Sequence, residues 1–236
     1  MISYNSQPFL RAFLNSLKSC TTIPFRLIII DNRSTDNSCT FLSHFKKTDP
    51  LGSRIKIVYQ PTNIGVAKAW NKGIDLGDGK YIGFLNPDIL FSKGWLNQMV
   101  DSAERHPNSG VIGAKILDYS GQRICHAGYL NNQLLGNGEP NQPDSYNTEM
   151  EVDGIHGCCF LIRRCILPLV GRFDERFFMY AEEDDFCIRV KQAGYSVLYC
   201  PVSICHYGEG STVSPTVRMT QHLESVAKLK QKWGFQ

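Results

Sequence analysis

Carboxylates stand in this chain where they could hold a cation or take a proton. Asp31 closes the apolar run FRLIII, Asn86-Pro87-Asp88 closes YIGFL, and Glu182, Glu183, Asp184 and Asp185 stand in a row ahead of FCIRV. A carboxylate with diphosphate oxygens and one imidazole makes a plausible seat for a divalent metal, and His206, in ICHYGEGST, is placed to supply that imidazole. Each stretch also has an ordinary use. Asn, Pro and Asp together make surface turns, acids at a helix start interact with its exposed amides and dipole, and a lone histidine is more often a surface or hydrogen-bonded residue than a ligand. No CxxC or HExxH arrangement occurs, so a zinc hydrolase is disfavoured.

The elements that must position these residues can be read from periodicity. Phe9, Phe13, Leu14 and Leu17 suit one buried helical face, with Ser6 as its cap and Pro8 in its first turn. A strand is expected over Phe25 to Ile30, a helix around residues 36 to 47, a strand over Ile55 to Tyr59, a helix over Val66 to Leu76, and a strand over Tyr81 to Leu85. Such alternation predicts a parallel sheet covered on both faces, with ligands outside the carboxyl ends of its strands, where Asp31 and Asp88 fall and can meet over one crevice. Trp95 to Arg105 reads as a helix and Val111 to Leu117 as a strand. LLGNGEPNQPDSYNT is a turn-rich segment suited to a mobile or acceptor-facing loop. VDGIHGCCFLIRR brings a strand back into the core. The acidic row enters a helix that Gly194 stops, Val197 to Pro201 is a strand, and a last helix follows.

The 236 residues, 42% hydrophobic, suit one packed domain over 1–236. A net charge of +3 predicts no nucleic-acid surface. Nine cysteines, odd in number and several in apolar runs, read as free thiols in a reducing, cytoplasmic setting. No signal peptide precedes MISYNS and no run is long enough to cross a membrane. In the last helix Val226, Leu229 and Trp233 stand against Lys228, Lys230 and Lys232, a pattern for packing on the domain or for peripheral attachment at the inner face of the membrane.

Taken in order, SYNS, IIIDNRSTDNS, NIGVAKAWNKGI, FLNPD, GRFDERFFMYAEEDDFCIRVKQAGY and CHYGEGS resemble the family 2 glycosyltransferases, especially bacterial rhamnosyltransferase-like members that build polysaccharides and cell-surface glycans. The resemblance implies an α/β fold of the GT-A type, a Rossmann-like, mainly parallel central sheet flanked by helices, with a nucleotide-binding half over 1–90 and an acceptor and catalytic half over 91–236. It implies inverting, metal-dependent transfer (Mn²⁺ or Mg²⁺) from a UDP-, dTDP- or GDP-sugar to a glycan or lipid-linked glycan. Asp31 would contact the base beside Tyr4 and Asn5, and Asn63, Gly65, Lys68 and Asn71 would line the donor site. Asn86 would bond the donor sugar or ribose, and Asp88 with His206 would hold the metal. Glu183 stands where the family places its base as Asp, with Glu182 and Asp184 as competitors and Asp185 matching the second acid of that catalytic motif. Only Met1 and Ile2 precede SYNS, so the first strand should be stunted, leaving neighbouring backbone exposed. A nucleotidyltransferase and a noncatalytic carbohydrate-binding or assembly protein are the competing readings.

Overall fold

The computed structural model describes residues 1–208 and 214–234. From the N-terminus, β1 (Ile2–Ser3), α1 (Gln7–Cys20), β2 (Leu27–Asp31), α2 (Ser38–Thr48), β3 (Ile55–Tyr59), α3 (Val66–Leu76) and β4 (Tyr81–Leu85) alternate as the periodicity predicts. In α1 the apolar positions Leu10, Phe13, Leu14 and Leu17 are all buried, and Pro8 sits in the first turn, where its missing N–H leaves no helical bond unmade. Ser6 is at the cap position but does not cap. Its hydroxyl accepts the Tyr4 N–H at 3.1 Å and donates to the Tyr4 carbonyl at 3.2 Å.

The strands form two main sheets and a small hairpin. β1, β2 and β3 make a parallel three-stranded sheet. Further strands and helices follow in β5 (Ile89–Phe91), α4 (Trp95–Arg105), β6 (Ser109–Leu117), β7 (Ile124–His126), the hairpin of β8 (Tyr129–Leu130) and β9 (Gln133–Leu134), β10 (Met150–Val152), β11 (Cys159–Arg163), α5 (Leu167–Val170), α6 (Glu182–Gln192), β12 (Ser196–His206) and α7 (Pro215–Trp233). The seven-stranded sheet runs β10-β12-β6-β11-β4, with β5 on β12 and β7 on β6. The expectation of a mainly parallel sheet is corrected here: β6–β12 is parallel, and the other pairings in this sheet are antiparallel. The long excursion between β6 and β11 lets β11 enter from the opposite end and pair antiparallel with both β4 and β6.

β1 is two residues long and pairs with β2 through Ile2–Ile30 and Ser3–Asp31. Among the described residues β4 pairs only with β11, and Gly83 in its centre is exposed. A cavity of about 610 Å³ lies beside this edge, lined by Met1, Ile30, Trp70, Phe84 and Trp95 among others.

Two apolar layers cover the larger sheet. Cys159 and Leu161 pack with α1 and α4 through Phe13, Trp95 and Met99. Their neighbours Phe160 and Ile162 turn to the other face, as strand alternation requires, and meet Trp70, Phe173, Phe186 and Val190. The aromatic contacts Trp70–Phe160 (5.4 Å), Phe84–Phe160 (4.8 Å), Trp70–Phe173 (4.8 Å) and Phe173–Phe186 (4.7 Å) join α3, β4, β11 and α6 into one block, each such pair adding about 0.5–1.5 kcal/mol beyond its buried area.

The segment from residue 133 to 148 is tied to the sheet. The Ile124 N–H donates to the Glu139 carbonyl, Lys115 Nζ to the Ser145 carbonyl at 2.9 Å, and Tyr199 Oη to the Tyr146 carbonyl at 2.7 Å. In α7, Val226, Leu229 and Trp233 are half-buried, while Val217, Met219 and Leu223 are exposed. The stripe legible in the sequence is therefore a packing face.

Candidate active site

Asp88 is delivered by the turn between β4 and β5. The apolar run resumes after Asn86-Pro87-Asp88 because Ile89, Leu90 and Phe91 form a strand that pairs antiparallel with Ile204, Cys205 and His206 at the end of β12. The Asn86 N–H donates to the Cys158 carbonyl at 2.9 Å, and the Tyr207 N–H donates to the Asp88 carbonyl at 3.0 Å. This cross-strand register sets His206 Nε2 3.3 Å from Asp88 Oδ1. A nearly buried carboxylate and an imidazole at that spacing suit a divalent metal that also takes diphosphate oxygens. Of the expected CHYGEGS motif, Glu209, Gly210 and Ser211 lie outside the described residues.

The acidic row opens α6 from an unusual turn. Tyr180 and Ala181 take left-handed backbone conformations (φ 72° and 66°), costly for residues with a Cβ and a mark of a backbone held by its surroundings. The four acids then diverge. Asp185 is fully buried, accepting from Arg189 Nε at 2.9 Å, from Trp233 Nε1 at 3.0 Å, and from Lys232 Nζ. It anchors α7, with both of its oxygens occupied. Asp185→Ala removes an acceptor from half-buried Arg189 and Lys232, the latter keeping Asp174, and leaves the Trp233 N–H without its partner, so unfolding in denaturant should show a loss of about 1–3 kcal/mol.

Glu183 is half-buried, and its Oε1 accepts the Gly157 N–H at 3.1 Å. Burial first, then the Glu182 and Asp184 charges, raise it well above the ordinary carboxylate range. Burial pushes Glu182 up to about 8 and Asp184 up to about 6. Glu182 is nearly inaccessible at 4% exposure, while Glu183 and Asp184 are half-buried, and Glu183 Oε2 has no hydrogen-bond partner. A Cβ at Gly157 would stand 2.4 Å from Glu183 Oε1, so the bare glycine makes room for the longer Glu side chain. Gly157→Ala should therefore shift the carboxylate and lower turnover by on the order of 10²-fold, as a misplacement of about 1 Å does, with the melting temperature as the control for folding.

The loop before β11 is what sequence reading missed. Gly157 touches Glu183, and His156 and Cys158 lie beside His206, so residues 156–158 join the acidic helix to the Asp88 corner. His126 stands edge-on to His156 at 5.4 Å, and His156 to His206 at 5.2 Å. The available signal was HGC, polar and small residues interrupting an otherwise apolar strand approach.

The residues expected on the nucleotide side are held by one another. Asp31 accepts the Ser34 N–H at 2.9 Å, the Ser34 hydroxyl at 2.7 Å and the Cys39 thiol at 3.3 Å. Asn5 Oδ1 accepts the Thr35 N–H at 2.7 Å, and the Tyr4 backbone precedes it on the same turn. Asn63 accepts the Gly65 N–H, while Asn32, not singled out from sequence, accepts the Ile64 N–H and donates to the Gly65 carbonyl. Gly65 needs to be glycine. Its φ is +79°, and a Cβ would meet the Phe178 carbonyl oxygen at 2.6 Å, just before the acidic helix. Lys68 is exposed on α3. Asn71 instead points into the fold: it accepts the Phe173 N–H, donates to the Phe173 carbonyl and reaches Glu175. Asp31 and Asp88 are thus each engaged by their own neighbours.

The chain matches the family model described as "Glycosyl transferase family 2" over residues 1–168. It is 27% identical over 252 residues to the N-acetylglucosaminyl-diphospho-decaprenol L-rhamnosyltransferase of Mycobacterium tuberculosis, covering 95% of this chain and 80% of that protein. It is 26% identical over 238 residues to the Escherichia coli rhamnosyltransferase WbbL, covering 95% of this chain and 89% of the relative. The crystal structure of GalNAc-T7 with UDP, GalNAc and Mn²⁺ superposes with a TM-score of 0.74 at 16% identity, across 98% of this chain and 47% of that one, a likeness of fold.

Proposed function

The chain belongs to glycosyl transferase family 2, and on that premise we propose that it is an inverting transferase moving a sugar from a nucleotide-sugar donor to a hydroxyl of a glycan or lipid-linked glycan. The observation that carries this reading is the shared loop: Gly157 holds Glu183, and His156 and Cys158 adjoin His206, which lies against Asp88. A proton acceptor and a cation corner on one short loop suit a reaction in which a hydroxyl is activated as a diphosphate departs.

Residues 1–90 form the donor half, with Asp31, Asn5 and the Asn63–Gly65 loop on the nucleotide side, and 91–236 the acceptor half. Glu183 accepts the proton of the attacking hydroxyl. The new C–O bond forms at the anomeric carbon as the bond to the diphosphate breaks on the opposite side, and the nucleoside diphosphate leaves. Asp88 and His206 would hold a Mn²⁺ or Mg²⁺ ion. When bound, that cation supplies positive charge against the departing diphosphate. The acidic pair at residues 183 and 184 argues against nucleotidyl transfer, which needs no acceptor base opposite a sugar.

Among the described residues no helix is long and apolar enough to cross a membrane. We place the protein in the cytoplasm with α7 available for peripheral contact, since Met219 and Leu223 are each 60% exposed on a lysine-bearing helix. The test of function is release of nucleoside diphosphate from UDP-, dTDP- and GDP-sugars with Mn²⁺, Mg²⁺ or chelator and a mixed acceptor pool. The relatives' names make a rhamnosyl donor the first to try. Chelator-sensitive release from one donor class is the expected result, and silence across the panel overturns the reading.

A further inference from the structure

His156 and Cys158 are ligand-type side chains that the transfer reaction does not use. One ligand atom each from His156, Cys158 and His206 lies within 4.8 Å of the others, and His206 Nε2 is 3.3 Å from Asp88 Oδ1. We propose that His156, Cys158 and His206, with Asp88 as the fourth ligand, form a thiolate-containing site for a soft divalent cation of the Zn²⁺ class, whose occupancy excludes the hard cation of the donor site.

Two nitrogens, one sulfur and one oxygen suit Zn²⁺ or Co²⁺, whereas Mg²⁺ and Mn²⁺ favour carboxylate, carbonyl and water oxygens. Tetrahedral zinc, with ligand distances of about 2.0–2.3 Å, sets its donors roughly 3.3–3.8 Å apart. The His206–Asp88 pair is already at that spacing, and the His156, Cys158 and His206 donors, within 4.8 Å of one another, would draw together on binding. Neighbours hold the loop in place: Gly157 donates to Glu183, the Cys158 carbonyl accepts from Asn86, and the His126 ring packs on His156. The ligands come from three separated segments, so no metal-binding spacing is visible in the sequence.

Binding breaks the Cys158 S–H bond, forms a metal–sulfur bond and sends one proton to solvent. His156 Nδ1 accepts the Cys158 N–H at 3.1 Å. Coordination through Nε2 therefore moves the ring proton to Nδ1 and gives up that hydrogen bond, with no change in the proton count of the ring.

Metal-stripped full chain, titrated with Co²⁺ without oxygen or nucleotide, should saturate at one ion. A sulfur-to-cobalt band in the near ultraviolet and intense visible bands of four-coordinate cobalt are expected, both erased by an equivalent of Zn²⁺. Cys158→Ala should remove the sulfur band, and His156→Gln should weaken cobalt binding at least about tenfold. A weak six-coordinate spectrum overturns the site. So does a sulfur band unchanged in both variants, because the ion would then sit on other cysteines. The exclusion of the hard cation rests on the proposed role of Asp88 and His206, and its readout is Zn²⁺ inhibition of Mn²⁺-supported release. Relief of inhibition in Cys158→Ala supports exclusion, and unrelieved inhibition overturns it. A chain that forms the cobalt site yet releases nothing from any donor overturns the transfer reading and leaves the site standing.

Discussion

Glu183→Gln should lower sugar transfer by about 10²–10⁴-fold, the range for losing a positioned general base, while donor affinity stays within about twofold of the parent, because uniform binding is untouched by removing a proton acceptor. The substitution is nearly isosteric, and its remaining carbonyl oxygen can still accept the Gly157 N–H that Glu183 Oε1 accepts at 3.1 Å. What disappears is the ability to carry a proton. The paired measurements are single-turnover release with acceptor and calorimetric donor binding. Full activity in Glu183→Gln with collapse in Asp184→Asn would transfer the role to the neighbouring acid. The pH profile gives a second readout. A base acts only when deprotonated, and burial together with the Glu182 and Asp184 charges raises Glu183. Transfer should therefore rise with pH through a range above that of an ordinary carboxylate, and this limb should vanish from the residual rate of the Gln variant.

The same raised acids set the sign of the pH dependence of stability. Glu182, pushed up to about 8 by burial, binds its proton more tightly folded than unfolded. Its contribution is fully present below the unfolded value near 4.5 and is lost as pH rises toward 8. Glu182→Gln should flatten that decline in denaturant midpoints measured from pH 5 to 8, and an unchanged slope would assign the decline elsewhere.

Asp88→Ala should remove the response of transfer to added Mn²⁺ or Mg²⁺ and lower its rate by on the order of 10²–10³-fold, since several kcal/mol of charge stabilisation at the leaving group is lost. The carboxylate lies against His206 at 3.3 Å and is 8% exposed, so its removal leaves the imidazole without its anionic neighbour while the Asn86 and Tyr207 backbone bonds that shape the turn remain. Asp88→Asn keeps the volume and separates loss of charge from loss of packing. A Mn²⁺ titration of release that is superimposable on the parent's would remove Asp88 from the cation site.

Much of this could be read before any coordinates. The bounds of α3, β4 and α4 coincide with those expected from periodicity, because apolar spacing and turn chemistry act over a few residues. Pro201 shows where such reasoning stops. A proline after an apolar run reads as a strand end, yet β12 continues to His206, its pairing with β6 shifting register between Cys200 and Ser203 so that the residue without an N–H is accommodated. That irregularity carries His206 to Asp88, and it depends on β6, which is remote in sequence. The stranding of Asp185 and Asn71 in packing roles has the same origin, since their partners Trp233 and Phe173 are set by how α7 and the segment before α6 fold back.

By itself the sequence determined the order of elements, the acids at strand and helix ends and the family they imply, because local periodicity, turns and contiguous motifs are written in neighbouring residues. Only the tertiary structure decided that the larger sheet is mostly antiparallel, that Glu182 and Asp185 are the buried members of the acidic row, and that His156 and Cys158 stand beside His206. Those outcomes depend on pairings between segments distant in the chain, whose register is set by burial of both partners at once.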